Sequence, residues 1–163
     1  MTETDLAYLA GIIDGEGCIS VSENPRNGRK YYRLILDVTN TNDILMQWLE
    51  DTFGGIVRTN YARAENRSNL HGWTVSGKQC QELLAMVLPY LIIKKAQAEL
   101  ALAMNISDYG GSCRWSYTEE EEMARGAIRE AIMVENHKGG NKGSYARQNS
   151  TQKEVNCPLT VTP

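Results

Sequence analysis

The sequence predicts an α+β domain, and three observations carry that expectation. Helical and strand periodicities follow one another in the order helix, strand, strand, helix, strand, strand, helix, helix. The strand-like runs are bounded by turn residues, and the helical runs open on residues able to cap them. The chain has 163 residues, 42% hydrophobic and 23% charged, the size and composition of one globular domain with a core of its own.

Residues 2–15 read as the first helix. Thr2-x-x-Asp5 has capping-box form, with Thr4 an alternative N-cap, and Leu6, Leu9, Ile12 and Ile13 give an apolar face. Gly15 and Gly17 stop it. From Cys18 to Glu23 the chain alternates, Ile19 and Val21 on one side and Ser20 and Ser22 on the other. Asn24-Pro25-Arg26-Asn27-Gly28 is turn chemistry. Tyr31 to Thr39 is the second strand of the hairpin. Tyr32, Leu34, Leu36 and Val38 share one face; Tyr31, Arg33, Ile35, Asp37 and Thr39 share the other.

Thr41 or Asn42 caps a second helix running to about Phe53, which Gly54-Gly55 ends. Ile56 to Tyr61 and Gly72 to Ser76 form another strand pair joined by a polar connection. Ser76-x-x-Gln79 opens a third helix as a capping box, and Pro89 interrupts it or starts the next, which runs to about Met104. Thr118-Glu119-Glu120-Glu121 opens a further helix to about Asn136, with acids where the helix dipole favours them. The organisation expected is therefore a core over 1–106, a linker and packing helix over 107–136, and a polar tail over 137–163.

Composition excludes several classes. Cys18, Cys80, Cys113 and Cys157 lack C-x-x-C spacing, and His71 and His137 are isolated, so free thiols are expected rather than a zinc site. The longest apolar runs, such as Leu83 to Val87, fall far short of the roughly 20 residues that span a bilayer. No basic segment precedes an apolar one at the start. The expectation is a soluble intracellular protein, of cytoplasm or organelle, with no membrane partner and no small-molecule substrate. Net charge is −3, so a nucleic-acid partner has to be argued from local charge. Arg26-Asn27-Gly28-Arg29-Lys30-x-x-Arg33 carries four cations and no acid, Arg58, Arg63 and Arg67 follow, and acids concentrate at Glu119 to Glu122. Lys138, Lys142 and Arg147 have the form of a phosphate-tracking arm or of a solvated tail.

The first helix breaks a local rule. Ala7, Gly11 and Gly15, spaced by four, stack into a stripe without side chains, although each helical Gly costs about 0.5–1 kcal/mol relative to Ala. Spacing leaves two uses open: close approach of a second helix backbone, or tight packing on the chain's own sheet. The helix then ends in Asp14-Gly15-Glu16-Gly17, two acids at the negative end of its dipole. A divalent cation would reverse that penalty, because it would meet carboxylate and terminal carbonyl oxygen together, but these residues taken alone read better as two solvated turn acids, common in Asp-Gly turns.

Leu9-Ala10-Gly11-Ile12-Ile13-Asp14-Gly15-Glu16-Gly17 resembles the signature of the LAGLIDADG homing endonucleases, with Ile for Leu at its fourth position, Gly for Ala at its seventh and Glu for Asp at its eighth. The resemblance extends over about residues 5 to 105. It implies the fold of that family, an αββαββα core with a four-stranded antiparallel DNA-binding sheet, here with an extra C-terminal helix and tail. One motif in a short chain implies a homodimer, with Ala7, Ala10, Gly11, Asp14 and Gly15 at the interface and a palindromic or pseudo-palindromic duplex as target.

The resemblance further implies divalent-metal-dependent phosphodiester hydrolysis, breaking both strands across the minor groove, as in intron homing. Glu16 maps onto the metal-binding acid, the Gly15 carbonyl onto a backbone ligand, and Asp14, counted in the same metal set, onto the motif's first acid, which usually holds the helix end. Asn40 maps onto a polar residue that positions water, and Lys94 onto a basic residue near the scissile phosphate, with Lys95 the alternative. Hard oxygen ligands suit Mg²⁺, with Mn²⁺ or Ca²⁺ able to occupy the same sites.

The DNA face implied is the outward side of the sheet: Ser20, Ser22, Asn24, Tyr31, Arg33, Ile35, Asp37, Thr39, Arg58, Asn60 and Thr74. The cations Arg26, Arg29, Lys30, Arg63, Lys95, Lys138, Lys142 and Arg147 are expected to contact DNA as well. Two other readings compete with the nuclease. One is a relative that binds nucleic acid without cutting it, such as an intron RNA maturase or a DNA-binding regulator; Glu16, Asn40 and Lys94 together argue against it. The other is an α+β interaction domain carrying the motif by chance.

Overall fold

The capping signals at the start of the sequence are realised in full. In the computed structural model, which describes residues 1–26, 28–60, 68–104 and 118–139, Thr2 caps the first helix, α1 (Glu3–Glu16). Its hydroxyl accepts from the Asp5 N–H at 3.2 Å, and the Asp5 carboxylate accepts from the Thr2 N–H at 2.6 Å. The chain passes from α1 straight into β1 (Gly17–Arg26). Gly17 makes that passage possible: a Cβ there would lie 2.8 Å from both Cα and O of Ile13.

β1 pairs antiparallel with β2 (Arg29–Asn40), setting Cys18 opposite Asp37 and Ser22 opposite Arg33. Asn42, not Thr41, caps α2 (Asp43–Phe53), its side chain accepting from the Leu45 N–H at 3.0 Å. After the Gly54-Gly55 turn come β3 (Ile56–Asn60) and β4 (Leu70–Ser76). Gly55 has φ +91°, and a Cβ there would meet the Thr74 carbonyl and the Val75 side chain at 2.8 Å. The turn is thus pressed against β4, and Trp73 pins it by donating from Nε1 to the Gly54 carbonyl at 2.7 Å.

The sheet is antiparallel throughout, in the order β1-β2-β4-β3. The two hairpins meet through β2 and β4, which places Asp37 opposite Thr74 and Ile35 opposite Ser76.

The third helix, α3 (Lys78–Val87), does not start as its sequence suggests. Ser76 is the last residue of β4 and its hydroxyl accepts from the Arg33 guanidinium; Gly77, at φ +66°, takes the cap position without a side-chain bond. Gln79 turns to the Phe53 carbonyl instead, at 3.1 Å. Pro89 lies in a 3₁₀ turn, Leu88–Tyr90, and α4 (Lys95–Leu102) follows. The last helix, α5 (Glu119–Gly139), opens on the expected reciprocal box: the Thr118 N–H donates to Glu121 and the Glu121 N–H to the Thr118 hydroxyl. It runs past Asn136, so Lys138 belongs to the helix and not to the tail.

All core-forming side chains lie on one side of the sheet. Leu9, Ala10 and Ile13 of α1, Ile19, Leu34, Leu36, Val38 and Trp73 of the sheet, and Met46, Leu49 and Leu84 of the next two helices are fully buried. α5 closes this layer over β1, β2 and α4, burying Ile132 and donating from Asn136 to the Ile19 carbonyl at 2.9 Å. The alternate residues of the strands, from Ser20 through Arg33 and Asp37 to Thr74 and Arg58, are exposed or half-buried. Among the described residues no helix is long and apolar enough to cross a membrane.

Candidate nucleic-acid interface and acidic centre

The small-residue stripe of α1 is not packed on its own sheet. Ala7, Gly11 and Gly15 are exposed, and a Cβ at Gly11 or Gly15 would meet nothing within 4 Å. With Tyr8, Ile12, Glu16 and Leu45 they line an open groove of about 440 Å³. Ala10, expected on the same face, points the other way and is fully buried in the chain's own core, because one residue of helix turns it about 100° from Gly11.

The end of α1 is organised by two side-chain contacts. Glu16 Oε2 accepts from Asn40 Nδ2 at 2.6 Å. Asn40 is itself fixed, since its Oδ1 accepts from the Asn42 N–H at 2.9 Å in a turn leading into α2. The structure therefore brings Glu16 and Asn40 together across 24 residues of sequence.

Asp14 and Lys94 form the second contact. The Asp14 carboxylate accepts from the backbone N–H groups of Ile92 at 2.8 Å and Lys94 at 2.9 Å, tying the turn that leads into α4 to the end of α1. Lys94 Nζ returns to the Ile13 carbonyl at 2.8 Å and the Asp14 carbonyl at 2.6 Å. Lys94 thus supplies the positive charge that the end of α1 lacks in its own sequence. Partial burial alone would raise the Asp14 carboxyl; the N–H donors of Ile92, Lys94 and Ile93, with the Lys94 charge, outweigh it and hold the group below the ordinary carboxylate range. Both Asp14 oxygens are engaged by backbone, which makes it a structural clasp.

Cys18, expected as a free thiol, was not counted on the outward face, although strand alternation places it with Ser20. It is exposed on the outward face opposite Asp37, and its thiol is pushed up by partial burial and by the Asp37 carboxylate, against the pull of Lys94. Ser76 and Ile56 are also on this face and were likewise missed; counting by twos from Thr74 finds Ser76, and the register sets Ile56 opposite Thr74.

The register puts Ser20, Ser22 and Asn24 opposite Ile35, Arg33 and Tyr31, and joins Asp37 and Thr39 to Thr74 and Gly72, with Arg58 and Asn60 on the far strand. Arg26 and Arg29 face each other at the hairpin end. Lys30 is a correction. It shares the parity of Tyr32, pairs with Glu23 at 3.2 Å, and lines a pocket with Glu119, Glu122 and Glu130 of α5, on the helical side of the sheet. Lys138 pairs with Glu135 on α5 at 2.6 Å, and Lys95 is exposed as the first residue of α4. Arg63, Lys142 and Arg147 lie outside the described residues.

Among the described residues no three His, Cys, Asp or Glu side chains are grouped as a metal cage. The donors present at the end of α1 are an exposed carboxylate, Glu16, and helix-end carbonyls, all hard oxygens of the kind Mg²⁺ or Ca²⁺ takes. The chemistry of these donors fits such an ion.

No family model and no curated protein matches the sequence. Solved structures do. The homing endonuclease I-CvuI, in complex with its target in the presence of 2 mM Ca, superposes with a TM-score of 0.65 at 23% identity, over 90% of this chain and 92% of that one. The archaeal intron-encoded homing endonuclease I-Vdi141I, complexed with DNA, gives 0.61 at 16% identity over 86% and 87%. The LAGLIDADG homing endonuclease I-LtrWI, bound to target DNA, gives 0.56 at 19% identity over 80% of this chain and 43% of that one. With the helix order, the antiparallel sheet and the placement of the motif on α1, these likenesses establish that the chain has the LAGLIDADG homing-endonuclease fold.

Proposed function

We propose that the chain is a homodimeric, site-specific DNA endonuclease that breaks both strands of a pseudo-palindromic duplex by divalent-metal-dependent phosphodiester hydrolysis. One observation carries this reading: Glu16 stands at the exposed end of a bare helix stripe, beside the polar face of the sheet and in the grip of Asn40. Apposition of two copies along Ala7, Gly11 and Gly15 would bring two Glu16 side chains close to the twofold axis, one for each strand. The neighbours I-CvuI and I-Vdi141I, both solved with DNA, support the partner class.

Each residue has a part in that chemistry. Glu16 and the Gly15 carbonyl would hold Mg²⁺, together with phosphate oxygens of the DNA. A divalent ion there supplies Lewis acidity at the phosphate and acidifies water for attack. Asn40 fixes one Glu16 oxygen, leaving the other to ligate, and the second N–H of its amide would orient water. Lys94 spends two donors on the end of α1 and keeps a third N–H for the phosphate. Asp14 holds Lys94 and α4 in register with Glu16. The sheet face carries donors, acceptors and two apolar groups, Ile35 and Ile56, in the mixture that direct base readout needs.

Selection of cleaved sites from a random duplex library in Mg²⁺ tests activity and symmetry together. The expected result is a two-fold symmetric site cut on both strands. Glu16→Gln is expected to bind that site and to cut it at least about 100-fold more slowly, since even residues that only support a metal ligand cost 10–100-fold. Cutting at the wild-type rate by that variant would overturn the assignment.

A further inference from the structure

Asp37 is out of place on a surface that meets phosphates. It sits mid-strand in β2, half-buried, on the outward face with Arg33 and Ile35. An anion there repels DNA unless it meets a hydrogen-bond donor. In the major groove only cytosine N4 and adenine N6 offer donors; guanine and thymine present acceptors. Adenine sets its N7 acceptor beside its amino group, so a carboxylate, which only accepts, is best matched to cytosine.

The side chain is also held for such a task. Thr74 Oγ1, across the β2–β4 pair, donates to Asp37 Oδ1 at 2.6 Å. That bond fixes the carboxylate plane and leaves Oδ2 to accept. Cys18 flanks it on the other strand and offers no competing charge, its thiol being pushed up. A similar cross-strand bond, Arg33 to Ser76, holds a cation four residues away on the same strand. Four residues of strand span about 13 Å, close to four base-pair steps, so the two devices address different base pairs.

We infer that the Asp37–Thr74 pair is a cytosine-selecting readout element of the sheet, discriminating against guanine at one base pair of each half-site. This rests on the DNA-reading function proposed above and names a specificity determinant within it.

The test is selection of bound, uncut duplexes from a random library in Ca²⁺, using full-length wild type, Asp37→Asn, Thr74→Val and Thr74→Ser. Wild type is expected to enrich cytosine over guanine by at least about tenfold at one position per half-site. Asp37→Asn, able to donate and accept, is expected to move that position toward adenine and leave the others unchanged, which also reports a folded protein. Thr74→Val is expected to weaken the preference at the same position, and Thr74→Ser to keep it. An enriched site that Asp37→Asn leaves unaltered at every position overturns the inference while the DNA-reading function stands. No enriched sequence with wild type overturns both.

Discussion

The clasp between the end of α1 and the start of α4 makes a stability prediction that can be worked through. Asp14→Ala removes the acceptor of the Ile92 and Lys94 N–H groups in the turn before α4, a change worth about 1–2 kcal/mol for two such bonds. Lys94→Met removes the ammonium from the Ile13 and Asp14 carbonyls at the negative end of α1, worth about 1 kcal/mol and up to about 2 where partly buried. With a urea slope of about 2 kcal/mol/M, each midpoint falls by about 0.5–1 M at fixed protein concentration. Because both changes loosen one contact, the double variant is expected to lose less than the sum, by about 0.5 kcal/mol or more. Acidity gives a second handle. The folded Asp14 group titrates below its unfolded value, so its contribution is complete above about pH 4 and fades as pH falls through the folded value. The gap between wild type and Asp14→Asn is therefore expected to close on acidification below about pH 4. A midpoint shift under about 0.2 M for Asp14→Ala, or full additivity with Lys94→Met, would refute the clasp.

Other outcomes follow from single residues. Gly11→Leu meets open space within one chain, so the fold is expected to hold while sedimentation equilibrium reports a monomer; an unchanged dimer would place the interface elsewhere. Gly17→Ala would push a Cβ to 2.8 Å from Ile13 backbone and is expected to cost about 1–3 kcal/mol in chemical denaturation. Cys80, buried with its thiol pushed up to about 12, is expected to escape alkylation in the native protein while exposed Cys18 reacts, as peptide mass mapping would show. Asn40→Ala frees Glu16 and is expected to slow cleavage about 10–100-fold without loss of DNA binding in filter assays.

Local signals were legible where one rule acted alone. Thr2 with Asp5, Thr118 with Glu121, and the alternation of Tyr32, Leu34, Leu36 and Val38 against Arg33, Ile35 and Asp37 all read correctly. They failed where two rules competed. Ser76 has the form of a helix cap but belongs to a strand, and its hydroxyl goes to Arg33 once β2 and β4 pair. Lys30 sits in a basic cluster, yet parity sends it to Glu23 and the helical side. Ala10 shares the motif with Gly11 but not its face.

The candidate centre shows a different limit. The carboxylate at position 16 was singled out through the motif's resemblance; its awkward place at a helix terminus reads, taken alone, as a solvated turn acid. That Lys94 would answer the same terminus from 81 residues away was not, because only tertiary folding brings a distant charge to a dipole.

The order of the strands has a consequence for how the surface comes into being. Each hairpin closes locally, but the seam between β2 and β4 forms only when segments some 40 positions apart find their register. The Asp37–Thr74 and Arg33–Ser76 bridges both lie across that seam. A chain caught with its hairpins made but unjoined would carry the same side chains without their alignment. The discrimination proposed for this face would therefore depend on the closed β2–β4 seam, and a copy with its hairpins unjoined would lack it.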